Sequence, residues 1–392
     1  MIDTYPNLVG NWNFPTKMRF GAGRIKELAE ACGAAGIERP LLVTDPGLKP
    51  LPMIAEALAL LERNGLAAAL FADVHPNPVG ADVEAGLKAY QRGKHDGVIV
   101  FGGGSAMDAG KAVAFMSGQT RPMWDYEDRE DWWTRADPRG IAPVIAVPTT
   151  AGTGSEVGRA AVITDQSDHT KKIIFHPKMM PVDVICDPEL TIGLPPNITA
   201  ATGMDALSHN LEAYCAPFWH PLAQGVSLEG MRLCKEWLPE AVKRGSNVEA
   251  RSFMLAASSM GATAFQKGLG SMHAMSHPCS SLRGTHHGLT NAVVMPYVLL
   301  HNRKAIEEKI VAAANYLALK DRSFNGFVDW VLALREEIGI PNTLNEIGVD
   351  SGIIPQLAAM AQEDPCTGGN PLPMGVPVYE DLFSRAIEGK LA

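Results

Sequence analysis

The sequence predicts two domains of different class: an α/β domain with a mostly parallel sheet over residues 1–194, then an all-helical domain over 195–392. Three observations carry this. The chain has 392 residues, more than one hydrophobic core ordinarily organises. In the first half, short β-branched runs alternate with amphipathic helical stretches, the rhythm of strand–helix–strand units. After Leu194-Pro195-Pro196 the strand signal stops and helical periodicity takes over.

Pro40-Leu41-Leu42-Val43-Thr44-Asp45 reads as a strand closed by a turn at Pro46-Gly47, and residues 50–64 place apolar side chains at helical spacing. Ala67 to Phe71 is a second short strand and Val79 to Arg92 a helix. Residues 96–101 form a strand apolar on both faces, as a sheet covered on both sides requires. Residues 143–148 and 182–187 supply two more strands. Helices follow over 200–215, 220–243, 248–265, 303–317, 323–338 and 350–362, with a turn at 371–375 before a short terminal helix. Pro278 predicts that the helix carrying His273 ends at or near His277. Gly288 to Pro296 reads as a buried apolar segment between helices.

Composition narrows the function classes. Hydrophobic residues at 46% and charged residues at 20% describe a compact globular protein. A net charge of -9 without any basic tract argues against a nucleic-acid partner. Met1-Ile2-Asp3-Thr4-Tyr5-Pro6 lacks the basic and apolar regions of a secretory leader. The longest apolar run, 292–300, is closed by His301-Asn302-Arg303 before it reaches membrane-spanning length, so no membrane association is expected. Six scattered cysteines without a CxxC pair fit a reducing cytoplasm. Cys279 and Cys366 read either as small buried hydrophobes or as neighbours of a pocket.

The strand over 96–101 runs directly into Gly102-Gly103-Gly104-Ser105. Glycines let the backbone turn tightly, and the N–H groups that open the following helix suit a pyrophosphate. The pattern is neither GxGxxG nor a P-loop, because Gly110-Lys111 is followed by Ala112. A second polar turn, Pro148 to Glu156, also follows a buried strand, and its hydroxyls and amides suit a ribose and a nicotinamide amide. Packing alone explains one such turn; two at strand ends of one sheet point to a ligand. Asp45, ending the first strong strand, suits two ribose hydroxyls and repels a 2′-phosphate, which favours NAD over NADP. The same carboxylate also suits capping its own Pro-Gly turn.

Asp205 and His209 stand at i and i+4, on one face of a helix, with Glu212 continuing that face. His273 and His277 share the spacing, and His286 and His287 follow Gly284. A single such pair is ordinarily a solvated helix face. Two histidine-rich clusters in one helical domain favour a metal, and one carboxylate with three imidazoles suits Fe(II) or Zn(II). An ion there lowers the pKa of an alcohol and, in reverse, polarises an aldehyde carbonyl. A histidine left out of the ligand set, such as His277, is positioned to relay the proton.

With these motifs in place, the chain resembles the iron-containing (group III) alcohol dehydrogenases over nearly all of its length. The likeness rests on Phe20-Gly21-Ala22-Gly23, Thr44 to Gly47, Gly102 to Ser105, Pro148 to Glu156, Gly203 to His209, the histidine segment and Cys366 to Pro371. It implies the dehydroquinate synthase-like fold, with an N-terminal nucleotide-binding domain and a helical metal-binding domain. It implies Asp205, His209, His273 and His287 as ligands of ferrous iron, or alternatively zinc, and His277 as a non-ligand catalytic histidine near the nicotinamide. NAD contacts are implied for Asp45, Asn77, Gly102, Gly103, Gly104, Ser105, Asp108, Thr149, Thr150, Thr153 and Lys171. The implied activity is NAD-dependent, metal-assisted oxidation of primary alcohols and reduction of aldehydes, in a homodimer or larger homo-oligomer.

Two departures bear on substrate. Family members often carry a Phe-x-Asn-containing segment where this chain reads Ala264-Phe265-Gln266-Lys267-Gly268, and an aromatic residue where it has Cys279 to Gly284. Phe265, Lys267, Arg283 and Cys366 are therefore the candidate substrate-pocket residues. A cationic Lys267 or Arg283 facing the pocket favours an anionic short-chain semialdehyde or hydroxy acid; if both meet solvent, that preference disappears. The acidic, aromatic stretch Trp124 to Trp133 shapes an interface or a pocket mouth, or anchors a surface loop. Outside enzymes, the alternative is a nucleotide-binding structural or sensor protein.

Overall fold

A computed structural model describes residues 16–168 and 170–391. The leaderless reading of Met1 to Pro6, and His169, lie outside the described residues. The chain divides into an α/β unit, Pro15–Thr150 with Gly154–Gly193, and a helical unit, Ala151–Thr153 with the chain from Leu194 onward.

The α/β unit runs β1 (Lys17–Phe20), α1 (Leu28–Ala34), β2 (Pro40–Val43), α2 (Pro52–Arg63), β3 (Ala69–Phe71), α3 (Gly80–Gly93), β4 (Gly97–Gly102), α4 (Gly104–Met116), β5 (Val144–Pro148), β6 (Ala160–Asp165), β7 (Thr170–Phe175) and β8 (Asp183–Cys186). Six strands form one parallel sheet in the order β1-β8-β5-β4-β2-β3. The strands β2, β4, β5 and β8 are buried at every residue, which is why β2, β4 and β5 read as unbroken apolar runs, while β8 opens on Asp183, buried against Arg19. Their side chains still alternate between two cores. Leu41, Val43, Val98 and Val100 face one, with Phe115 of α4. Leu42, Ile99 and Phe101 face the other, with Leu28 of α1 and Leu61 of α2.

Sequence periodicity did not predict β1 or the antiparallel β6–β7 ribbon. In β1 only Arg19 is buried, held there by Asp183, Glu27 and Glu30 rather than by apolar packing. In β7 two lysines interrupt the apolar pattern, and Lys172 is bonded to Asp165 of β6.

The helical unit comprises α5 (Pro196–Cys215), α6 (Pro221–Lys243), α7 (Val248–Ala264), α8 (Ser271–Arg283), α9 (His287–Tyr316), α10 (Phe324–Glu337), α11 (Ile354–Glu363) and α12 (Val376–Glu388). From Thr199 to Cys215 every residue of α5 is buried, as befits a central helix that α6, α7 and α9 surround. A Cβ on Gly288 of α9 would lie 2.7 Å from Asp205 Cβ, so the close crossing of α9 on α5 requires a glycine there.

Two boundary expectations are corrected. The helix α8 continues through Pro278 to Arg283, and Gly288 to Pro296 is the first part of α9, which passes through Pro296. An interior proline costs about 3 kcal/mol through its missing N–H and ring clash. Burial of Met272, Met275 and Cys279 on α8, and of Val293 to Leu299 on α9, offsets that cost. Among the described residues no helix is long and apolar enough to cross a membrane.

Candidate metal centre

Asp205 and His209 lie one turn apart on α5, His273 lies on α8, and His287 opens α9. Each offers one ligand atom, and the four atoms lie within 4.8 Å of one another. The Nε2 of His287 is 3.6 Å from Asp205 Oδ1. The rings of His209 and His273 stack at 4.7 Å between centroids, and those of His273 and His287 lie 5.2 Å apart, tilted by 54°.

What selects the ligating nitrogen is the other side of each ring. His209 Nδ1 faces the carbonyl of Gly152 at 3.2 Å, so it carries the hydrogen. His273 Nδ1 faces Glu212 Oε2 at 2.6 Å, and Glu212 Oε1 accepts from the Met272 N–H at 2.7 Å. His287 Nδ1 is 2.9 Å from Ser276 Oγ, whose single proton is directed to the His287 carbonyl at 3.0 Å. The hydroxyl must then accept from Nδ1–H. All three imidazoles are thereby set with a bare Nε2, the arrangement that outer-sphere partners of metal-bound histidines impose.

Burial pushes His209 down to about 4, so it stays neutral and available as a ligand. Burial also works to lower His273, but its hydrogen bond to the Glu212 carboxylate and that group's charge raise it overall. Asp205 and Glu212 are both buried carboxylates, and a divalent cation among neutral imidazoles compensates such charge. Asn291 Nδ2 lies 2.9 Å from Asp205 Oδ1, 3.3 Å from His273 Nε2 and 3.2 Å from His287 Nε2. Its two hydrogens cannot serve three acceptors, and its own buried Oδ1 has no hydrogen-bond partner among the described residues. The donor set therefore fits a divalent ion.

His277 stands apart from the ligand set. Its Nδ1 is 2.7 Å from Asp364 Oδ2, it clusters with Asp364 and Cys366, and its ring stacks on His287 at 5.2 Å and 15°. His286 caps α9 by accepting from Leu289 N–H. Of the four pocket candidates, Phe265 sets its ring 5.3 Å from His209, and Cys366 sits beside His277 and Asp364. The cations are engaged elsewhere. Lys267 is buried and donates to the Tyr214 carbonyl at 2.8 Å, and Arg283 pairs with Asp350 at 3.0 Å.

In the α/β unit, Gly102 ends β4, Gly103 caps α4, and Gly104 and Ser105 form its first turn. A Cβ on Gly102 would lie 2.8 Å from Ala106 Cβ and 3.6 Å from Asp45 Oδ2, so the loop and Asp45 are drawn together. Asp45 Oδ1 accepts from the N–H groups of Gly47 and Leu48, the turn-capping role. Thr149 N–H bonds the Gly102 carbonyl and Thr150 packs on Gly103, whereas Thr153 belongs to the helical unit. Asn77, at φ 53°, accepts from Lys171 Nζ at 3.0 Å. Asp108 accepts from Ser155 Oγ at 2.6 Å and from the Val162 N–H at 2.9 Å, so both its oxygens anchor the segment after β5. Lys111, buried in the same place, bonds the carbonyls of Ser155 and Ala160.

Sequence reasoning missed Asn291, Ser276 and Asp364, and read Glu212 only as an extension of a helix face. Glu212 had a usable signal, three residues beyond His209 on that face. Asp364 precedes Pro365, an N-cap signature, but its contact with His277 spans 87 residues and no local pattern encodes it.

Comparison with known proteins gives the same picture. Residues 15–188 match the iron-containing alcohol dehydrogenase family, and residues 199–387 match that family's C-terminal region. The chain is 35% identical over 382 residues to a 4-hydroxybutyrate dehydrogenase of Cupriavidus necator, covering 95% of this chain and 98% of that protein. It superposes on a crystal structure of 1,3-propanediol oxidoreductase with a TM-score of 0.91 at 34% identity, over 96% of this chain and 99% of the other. A sulfoacetaldehyde reductase from Bifidobacterium kashiwanohense, solved in complex with NAD+, superposes with a TM-score of 0.87 at 29% identity, over 97% and 99%.

Proposed function

The chain belongs to the iron-containing alcohol dehydrogenase family, and from that premise we propose that it interconverts primary alcohols and aldehydes with NAD and a divalent metal, iron before zinc. The observation that carries the proposal is the convergence of Asp205, His209, His273 and His287, with every imidazole Nδ1 committed to another partner. We assign metal binding to the helical domain, 195–392. We assign NAD to residues 1–194, at Asp45, Asn77, Gly102, Gly103, Gly104, Ser105, Thr149, Thr150, Thr153 and Lys171. Asp108 supports that site as an anchor of the 155–162 segment.

When bound, the ion supplies Lewis acidity toward the substrate oxygen and the nicotinamide supplies the hydride carrier. The chain's own residues do the rest. Asp205 contributes the anionic ligand; Gly152, Glu212 and Ser276 hold the imidazoles in the ligating tautomer. Phe265 sets its ring against His209, 5.3 Å between centroids. His277, the catalytic histidine of this proposal, takes the hydroxyl proton in oxidation and returns it in reduction.

The named relatives act on both neutral and anionic compounds. Lys267 and Arg283 already serve Tyr214 and Asp350, which favours a substrate recognised without a carboxylate. Following NADH formation with paired neutral and carboxylated alcohols of equal length tests both points. Turnover of neutral alcohols supports the proposal; exclusive use of the carboxylated partners revives the anion reading, and no turnover of any alcohol or aldehyde favours a non-catalytic nucleotide binder. A cytoplasmic location and a homo-oligomer are also proposed, the first from six free cysteines and the second from the family.

A further inference from the structure

We propose that Asp364 is a positioning residue for proton transfer, its carboxylate holding His277 as the Nδ1–H tautomer with Nε2 kept as the proton acceptor. The proposal rests on the reading of His277 as the proton relay. It starts from a repetition on α8. His273 and His277 are one turn apart, and each ring is gripped at Nδ1 by a carboxylate from another element: Glu212 of α5 at 2.6 Å and Asp364 at 2.7 Å. The first grip leaves Nε2 of His273 in the ligand cluster, whereas His277 groups instead with Asp364 and Cys366. One device thus prepares two histidines for different acceptors, a cation and a proton.

Asp364 does more than cap a turn. Capping needs only Oδ1, which accepts from the Cys366 N–H at 2.9 Å. The second oxygen is left for His277, and both partners are shielded, at 8% and 13% side-chain exposure. Burial alone pushes Asp364 up, but His277 and the Cys366 N–H bring it below the usual carboxylate range. The Cys366 thiol is pushed well up, by burial and then by Asp364, so it remains a neutral neighbour. An ionised carboxylate only accepts, so the facing ring nitrogen must carry the hydrogen. In alcohol oxidation the O–H bond then breaks, its proton forms N–H at Nε2, and the C–H electron pair leaves as hydride to the nicotinamide. Reduction runs the same transfers backwards.

The test uses the full-length, metal-loaded enzyme and the variants Asp364→Asn, His277→Ala and their double. Asparagine preserves the Oδ1 cap but presents NH2 to Nδ1, which forces the hydrogen onto Nε2. The expected result is a fall in kcat of about 100-fold or more for Asp364→Asn, with KM and metal content unchanged. The double variant is then no slower than His277→Ala, because both changes remove the same function. Ring 15N spectra of the zinc-loaded protein supply a readout independent of turnover. They show Nδ1–H at His277 in the wild type and Nε2–H in Asp364→Asn. A wild-type His277 protonated at Nε2 overturns the proposal even if the variant fails to fold. Normal turnover in Asp364→Asn with slow His277→Ala overturns the role of Asp364 alone. Normal turnover in His277→Ala overturns the relay reading beneath it.

Discussion

Replacing Glu212 by glutamine isolates the support of the metal centre from its ligands. Glu212 is buried, and its two oxygens accept from two donors, His273 Nδ1 at 2.6 Å and Met272 N–H at 2.7 Å. Glutamine fills the same volume but keeps one acceptor oxygen. If that oxygen stays on Met272, the NH2 group faces Nδ1 and drives the ring hydrogen onto Nε2, toward the ion. Loss of such an outer-sphere partner lowers metal affinity about 10–100-fold, which is about 1.4–2.7 kcal/mol. Competition against a chromophoric chelator with zinc or cobalt(II) measures this directly, and circular dichroism checks that the helices persist. A Kd equal to that of the wild type would refute the claim that Glu212 sets the tautomer of His273.

Three further outcomes are expected. Asp45→Ser retains a turn cap while removing the carboxylate, so the preference for NAD over NADP should fall about tenfold, comparable to one charge-dependent contact; an unchanged cofactor ratio removes Asp45 from the site. Gly288→Ala forces a methyl against Asp205 Cβ and should cost about 1–3 kcal/mol in thermal denaturation as well as metal, and a variant as stable and metal-replete as wild type contradicts the close α5–α9 crossing. In metal-free protein, His209 takes a proton near pH 6.5 when unfolded but only near 4 when folded, so its contribution to stability is present above about 6.5 and is lost as pH falls toward 4. Thermal denaturation across that window should show a steeper decline for wild type than for His209→Gln, and parallel curves exclude the effect.

Much of this architecture is legible in sequence because the buried strands β2, β4 and β5 are unbroken apolar runs and because Asp205 with His209, and His273 with His277, stand one helical turn apart. The histidines at 273 and 277 share that spacing; spacing alone does not separate them, the family resemblance does, and the structure adds the physical reason, Glu212 and Asp364 arriving from 61 and 87 residues away. Pro278 misled for the opposite reason: a local rule predicted a helix end, and packing of Met275 and Cys279 overrode it. Lys267 shows the limit of reading charge by position. It carries the sequence signal of a substrate-selecting cation, but its ammonium is buried on the Tyr214 carbonyl. The β6–β7 ribbon stayed hidden because its lysines blur the two-residue alternation on which strand recognition depends.

Metal removal and restoration test the central claim most directly. Purified protein is stripped with a chelator and assayed for NAD-linked oxidation of a primary alcohol, then assayed again with ferrous iron or zinc while metal content is measured. Turnover should vanish with the metal, return in proportion to the ion bound per chain, and fail to return in Asp205→Ala, which keeps the three imidazoles but lacks the anionic ligand. Full turnover in metal-free protein, or full restoration of Asp205→Ala at wild-type metal affinity, would contradict the assignment.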